Sequence, residues 1–146
     1  MYELMVKSIL IADSQPEIRK ELAKLFVEIG YQVDTAESRQ DVLRKVTFTD
    51  YAVVLMDCRI SNDSGLDVLA ELSAIHPGVS VIMLSAEPSL EIVIAALRKG
   101  AFDFVVKPID VDELTEIVRK ACDQNELMKL YQAMSGQVQH QRDALS

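Results

Sequence analysis

Four short apolar runs, each ending on a polar residue, constrain this chain more than any other feature. They are Ile9-Leu10-Ile11-Ala12 before Asp13, Ala52-Val53-Val54-Leu55-Met56 before Asp57, Val79 to Leu84 before Ser85, and Phe104-Val105-Val106 before Lys107. Runs of this length, rich in Val and Ile, read as strands covered on both faces, which is the habit of parallel sheets. A fifth segment, Tyr31-Gln32-Val33-Asp34-Thr35, alternates apolar with polar and reads as a half-exposed edge strand.

Helical stripes lie between these strands. Ile18, Leu22, Leu25, Phe26 and Ile29 form the first, closed by Gly30 where a left-handed cap is wanted. Val42, Leu43 and Val46 form a second, with Ser38 as its N-cap. Leu66, Leu69 and Leu72 mark a third, and Ile92, Val93, Ala96 and Leu97 a fourth that ends at Gly100. Asp110 with Glu113 three residues on has the form of a capping box opening a fifth. Strands alternating with helices in this way predict a right-handed α/β layer fold.

With 146 residues there is room for one domain and a tail. The tail changes character after Ala121: it is Gln-rich, with Met128, Tyr131, Val138 and Leu145 at heptad-like spacing. Polar residues at the intervening places (Gln124, Ser135, Arg142) and Gly136 weaken a coiled-coil reading, so a helical extension or linker over 122–146 stands beside it. Residues 1–121 are the expected domain.

Charge excludes some functions. Lys and Arg number 15 against 23 Asp and Glu, a net −8, so the chain has no global attraction for nucleic-acid backbones or anionic lipid. Cys58 and Cys122 match neither a zinc spacing nor a disulfide framework, which suits a reducing, cytoplasmic setting. The apolar run in the first ten residues is too short for a signal peptide, and no stretch is long enough to span a bilayer.

The polar residues that stop the runs carry the chemistry. Asp13 and Ser14, Asp57, Ser85 and Lys107 all fall at strand carboxyl ends, the edge where open α/β sheets bind ligands. Singly, each reads as a turn former, cap or solvated loop residue. Together they suit phosphoryl transfer to a carboxylate, since Asp can form an aspartyl phosphate and the transferred group needs its oxygens neutralised. Mg²⁺ held by Asp13 and Asp57 would take one oxygen, Lys107 another, and the Ser85 hydroxyl a third.

Four segments in register, ILIADSQPEIR, LMDCRISNDSGLDVL, VIMLSAEPSLE and GAFDFVVKPIDVDEL, resemble the receiver domains of two-component response regulators, over residues 7 to 121. The last segment is most like receivers of the nitrogen-regulatory, enhancer-binding kind. The resemblance implies a flavodoxin-like (βα)5 fold, with a five-stranded parallel sheet in the order 2-1-3-4-5 and helices on both faces. It implies that Asp57 is the phosphoacceptor, Asp13 the first of an acidic pair, and the main-chain carbonyl of Arg59 a metal ligand. Ser85 and Phe104 would be the switch residues and Lys107 the partner of the phosphoryl group. Lys107–Pro108 would be a cis peptide bond and Gly65 would sit at the expected turn. Arg59 and Glu87 would tune the lifetime of the phosphoryl group, or simply be solvated.

The sequence departs from the pattern at Ser14, where the family has a second carboxylate. That leaves Asp13 and Asp57 to hold Mg²⁺, with a water or Glu17 to fill the gap, and predicts a weakened site. Ser61, where the family often has Pro, predicts a looser loop after Asp57. By resemblance the chain is a phosphorylation-driven switch rather than an enzyme, promoting only its own phosphorylation and dephosphorylation. A sensor histidine kinase or phosphotransfer protein would supply the phosphoryl group. The fourth helix, fifth strand and fifth helix would form the responding face, with homodimerisation on activation and no direct nucleic-acid or membrane binding.

Other functions fit less well. A flavin site needs a Gly-bearing phosphate loop, and Ser14-Gln15-Pro16 has none. No G-x-G-x-x-G occurs. Asp-nucleophile phosphatases carry a second Asp two residues on, where Arg59 stands. The remaining rival is a pseudo-receiver, a docking or dimerisation module independent of phosphorylation, supported by Ser14 and opposed by Asp57, Ser85 and Lys107. The chain is expected to be either a stand-alone receiver or the front piece of a longer protein.

Overall fold

A computed structural model describes residues 6–145, with side chains described to residue 136. Five parallel strands, β1 (Ser8–Ala12), β2 (Gln32–Ala36), β3 (Val53–Asp57), β6 (Ser80–Ser85) and β7 (Asp103–Val106), lie in the order β2-β1-β3-β6-β7. A small antiparallel hairpin, β4 (Arg59–Ile60) with β5 (Asp63–Ser64), follows β3. The helices are α1 (Pro16–Ile29), α2 (Arg39–Phe48), α3 (Gly65–Ile75), α4 (Leu90–Arg98) and α5 (Val111–Leu145). Numbering apart, this is the expected doubly wound sheet.

The strands are apolar throughout because both faces are covered. Along β1, Ile9 and Ile11 point to a core with Leu22 and Phe26 of α1 and Leu114 and Val118 of α5. Leu10 and Ala12 point the other way, to Val42 of α2, Leu69 of α3 and Ala96 of α4. The same alternation divides Val53 and Leu55 from Val54 and Met56, the period-two geometry of a strand. β2, with one neighbour, leaves Gln32 and Asp34 exposed, as its alternating pattern predicts.

Local signals position the helices. Pro16 opens α1, where a missing N–H costs nothing, and Gly30 closes it at φ 121°. Ser38 Oγ caps α2 by accepting from the Asp41 amide, and Ser89 does the same for α4 through Ile92. At α5 half of the expected box is made: the Glu113 amide donates to Asp110 Oδ1 at 3.1 Å.

α5 runs unbroken to Leu145. Its packing continues past Ala121, because Cys122 and Asn125 are also buried and Asn125 Nδ2 donates to the Gly78 carbonyl at 2.6 Å. Beyond, Leu127, Leu130, Tyr131 and Met134 form an exposed stripe with the spacing i, i+3, i+4, i+7. Met128, which with Tyr131 belongs to the expected heptad-like spacing, is exposed as well; the side chains of Val138 and Leu145 lie outside the described residues. No helix among the described residues is long and apolar enough to cross a membrane.

Candidate functional site

Four strand ends bring the site together. β1 delivers Asp13 one residue beyond its last pair, β3 ends on Asp57 itself, and β6 ends on Ser85. The strands therefore begin and end one residue later than the apolar runs suggest at β3 and β6. β7 leads into Lys107, whose amide donates to the Ser85 carbonyl at 2.8 Å. The Lys107–Pro108 bond is cis.

Lys107 Nζ bridges the two carboxylates, lying 2.8 Å from Asp13 Oδ2 and in contact with Asp57 Oδ2. Asp13 is fully buried, and the Asp57 and Lys107 side chains are mostly so. The second oxygens are also engaged: Asp13 Oδ1 accepts from the Gln15 amide at 2.9 Å, and Asp57 Oδ1 from the Arg59 amide at 2.8 Å. Burial raises the Asp13 carboxyl above the ordinary aspartate value, and the charge on Asp57 adds to this against the pull of Lys107 and Gln15. Burial alone would lower the Lys107 ammonium, but its bonds to Asp13 and Asp57 outweigh that and raise it. The Cys58 thiol beside them is pushed up to about 11, mainly by burial, so it stays protonated at neutral pH.

An open cavity of about 360 Å³ stands over this cluster, lined among others by Ser14, Asp57, Arg59, Ser85, Glu87 and Lys107. Ser85 is buried and its Oγ accepts from the Glu87 amide at 3.2 Å. Ser14 and Glu17 are exposed. Arg59 and Glu87 share the cavity mouth but make no ion pair with each other among the described residues. Phe104 is half-buried on β7, packed against the core on the α2–α3–α4 side and outside the cavity lining.

The segment after Asp57 forms a short hairpin around Ser61. Arg59 pairs with Ser64 and Ile60 with Asp63, and Ser61 turns the chain at φ 55°. Proline, locked near −65°, cannot take that conformation. Arg19, on α1, is not among the site residues expected from sequence; its Nη1 donates to the Asp13 carbonyl at 2.6 Å.

Asp13 and Asp57 bring two carboxylates together, hard oxygen donors of the kind Mg²⁺ prefers. No group of three or more His, Cys, Asp or Glu gathers as a metal cluster among the described residues. The donor set fits Mg²⁺, with Asp13 and Asp57 as its acidic members.

The apolar surplus of the fourth helix is mostly at the surface. Ala96 is the one buried residue of α4, while Leu90, Ile94 and Leu97 are exposed, as are Val106 of β7 and Val111 of α5.

Residues 9–119 match the model of the response regulator receiver domain family. Regulatory protein AtoC of Escherichia coli (strain K12) is 33% identical over 141 residues, covering 97% of this chain and 29% of AtoC. A CheY-like response regulator receiver domain protein from Methanospirillum hungatei JF-1 superposes with a TM-score of 0.81 at 26% identity, covering 85% of this chain and 99% of that one. NtrX from Brucella abortus, in complex with ADP, superposes with a TM-score of 0.81 at 27% identity, covering 89% of this chain and 29% of that one. The chain thus spans under a third of the length of AtoC.

Proposed function

This chain belongs to the response regulator receiver domain family of two-component signalling, and from that premise we propose that Asp57 accepts a phosphoryl group and switches the face formed by α4, β7 and α5. The observation that carries the reading is the single ammonium of Lys107 held between Asp13 and Asp57, at a strand edge that also presents Ser85. Mg²⁺ binding at the phosphorylation site is typical of this family, and Asp13, Asp57 and the Arg59 carbonyl would hold the ion here. Bound there, it supplies positive charge to the phosphoryl oxygens.

The chain's own residues do the rest. A carboxylate oxygen of Asp57 attacks phosphorus and the bond to the donor, a histidine nitrogen in a sensor kinase or phosphotransfer protein, breaks. One oxygen of the Asp57 carboxylate becomes the bridging oxygen of an acyl phosphate and the other a neutral carbonyl, so Lys107 must exchange its contact with Asp57 for one with the phosphoryl group. Ser85 turns its Oγ from the Glu87 amide toward the same group, and Phe104, one strand over, moves into the space vacated. Arg59 and Glu87 at the cavity mouth govern water access and hence the lifetime of the acyl phosphate.

The exposed apolar residues of α4, β7 and α5 give the switched face something to bury against a partner or a second copy. Incubation with Mg²⁺ and acetyl phosphate, read on a phosphate-affinity gel, tests acceptance. Wild type should shift and Asp57→Asn should not; equal shifts would sink the assignment, and no shift in either would favour a phosphorylation-independent docking module.

A further inference from the structure

We propose that Arg19 is a positioning residue for Asp13, acting through the Asp13 main chain to hold its carboxylate ready for Mg²⁺. This rests on the reading above, in which Asp13 is a metal ligand. The pairing of β1 with β2 ends at Ala12 opposite Ala36, and the Asp13 amide still donates to the Ala36 carbonyl at 3.2 Å. The Asp13 carbonyl has passed beyond the ladder, in a residue with no solvent exposure, where an unpaired acceptor is costly. Arg19, on the first turns of α1, supplies the donor at 2.6 Å. Its side chain is 15% exposed, and its Nη2 lies 3.7 Å from Glu37 Oε2 just after β2. The guanidinium therefore ties the β1–α1 loop to the end of β2 from beneath the site.

That tether matters more in this chain because Ser14 brings no charge. Asp13 is the loop's one carboxylate, so a displaced Asp13 has no acidic neighbour to take its place in the loop. Groups that orient a ligand from behind change metal affinity by about 10- to 100-fold when removed. The charge of Arg19 works in the opposite direction, since a cation near a Mg²⁺ site repels the ion. The two roles predict opposite signs on deletion, and the hydrogen bond is the stronger because its acceptor is buried while the charge is shared with Glu37.

Mg²⁺ titrated calorimetrically into the 146-residue wild-type chain, Arg19→Met and Arg19→Lys separates them, together with hydrogen exchange at the Gln15 amide, which donates to Asp13 Oδ1. Arg19→Met should bind Mg²⁺ about tenfold more weakly and exchange the Gln15 amide faster. Arg19→Lys, which keeps the charge and one donor, should recover most of both, and it remains the test if the Met variant fails to fold. Unchanged or tighter Mg²⁺ binding in Arg19→Met, or unchanged Gln15 exchange, would overturn the proposal. Exchange is measured without metal, so if wild type itself took up no Mg²⁺, the metal reading of the site would fail while the Gln15 comparison still decided the positioning role.

Discussion

Gly65 lies directly against the main chain of Asp57: a Cβ at Gly65 would stand 2.0 Å from the Asp57 carbonyl oxygen and 3.0 Å from the Cys58 Cα. The Gly65 amide donates to the Cys58 carbonyl at 2.8 Å, so the start of α3 and the residue after Asp57 are locked together. The glycine is needed here for closeness rather than for a special φ. Gly65→Ala must push α3 away from the strand end. We expect a loss of about 1–3 kcal/mol in urea denaturation, the usual cost of overpacking, and slower acetyl phosphate labelling. Unchanged stability with unchanged labelling would show that the contact is not maintained.

The Lys107 bridge gives a pH dependence with a definite sign. Its folded-state value is raised above the ordinary lysine value of 10.5, so the folded chain keeps a proton that the unfolded chain has begun to lose. The stabilisation is fully present below 10.5 and disappears as pH rises through the folded value. Lys107→Met should cost about 3 kcal/mol at neutral pH by leaving Asp13 and Asp57 face to face, and less at low pH, because the Asp13 carboxyl, raised by burial, takes up its proton above the ordinary aspartate value. Denaturant midpoints followed over pH would show the two curves drawing together toward low pH and again as pH rises above 10.5. A constant offset would contradict the bridge.

Ser14 predicts a gain of function. At an effective dielectric of about 20, a unit charge about 4 Å away is worth about 4 kcal/mol, and a third of that is tenfold in affinity. Ser14→Asp should therefore bind Mg²⁺ at least about tenfold more tightly in a calorimetric titration. No gain would mean that another carboxylate, such as Glu17, already serves.

How much of this was legible from residues follows from the physics of each signal. The apolar runs at 9–12, 52–56, 79–84 and 104–106 located the buried strands because burial on two faces leaves no polar position inside them. Their ends slipped by one residue at Asp57 and Ser85, since a polar side chain can close a strand as well as follow it. The β4–β5 hairpin was not visible: two residues per strand have no periodicity, and Ser61 at φ 55° carries no glycine signature. Arg19 gave no signal because its partner is a main-chain carbonyl, which sequence cannot place. The tail's heptad-like spacing finds a stripe but not the face that the domain covers; Asn125 and Cys122 reveal that face.

The exposed apolar residues of α4, β7 and α5 lead to a prediction about assembly. Beryllofluoride with Mg²⁺, standing in for the phosphoryl group, should raise the mass measured by light scattering toward that of a dimer. Replacing Leu97 and Leu90 by Ser, both surface residues, should reduce the increase without affecting labelling of Asp57. A mass that rises equally in the variant would place the contact elsewhere.

The central claim, that chemistry at Asp57 alters a distant face, is most directly tested by hydrogen exchange over residues 89 to 121. Wild type should show altered exchange in this region when beryllofluoride and Mg²⁺ are added, because the new contacts of Ser85 and Lys107 exist in only one of the two states. Asp57→Asn should show none. An unchanged pattern in wild type, under conditions where Asp57 accepts phosphate, would mean that the chain is phosphorylated but is not a switch.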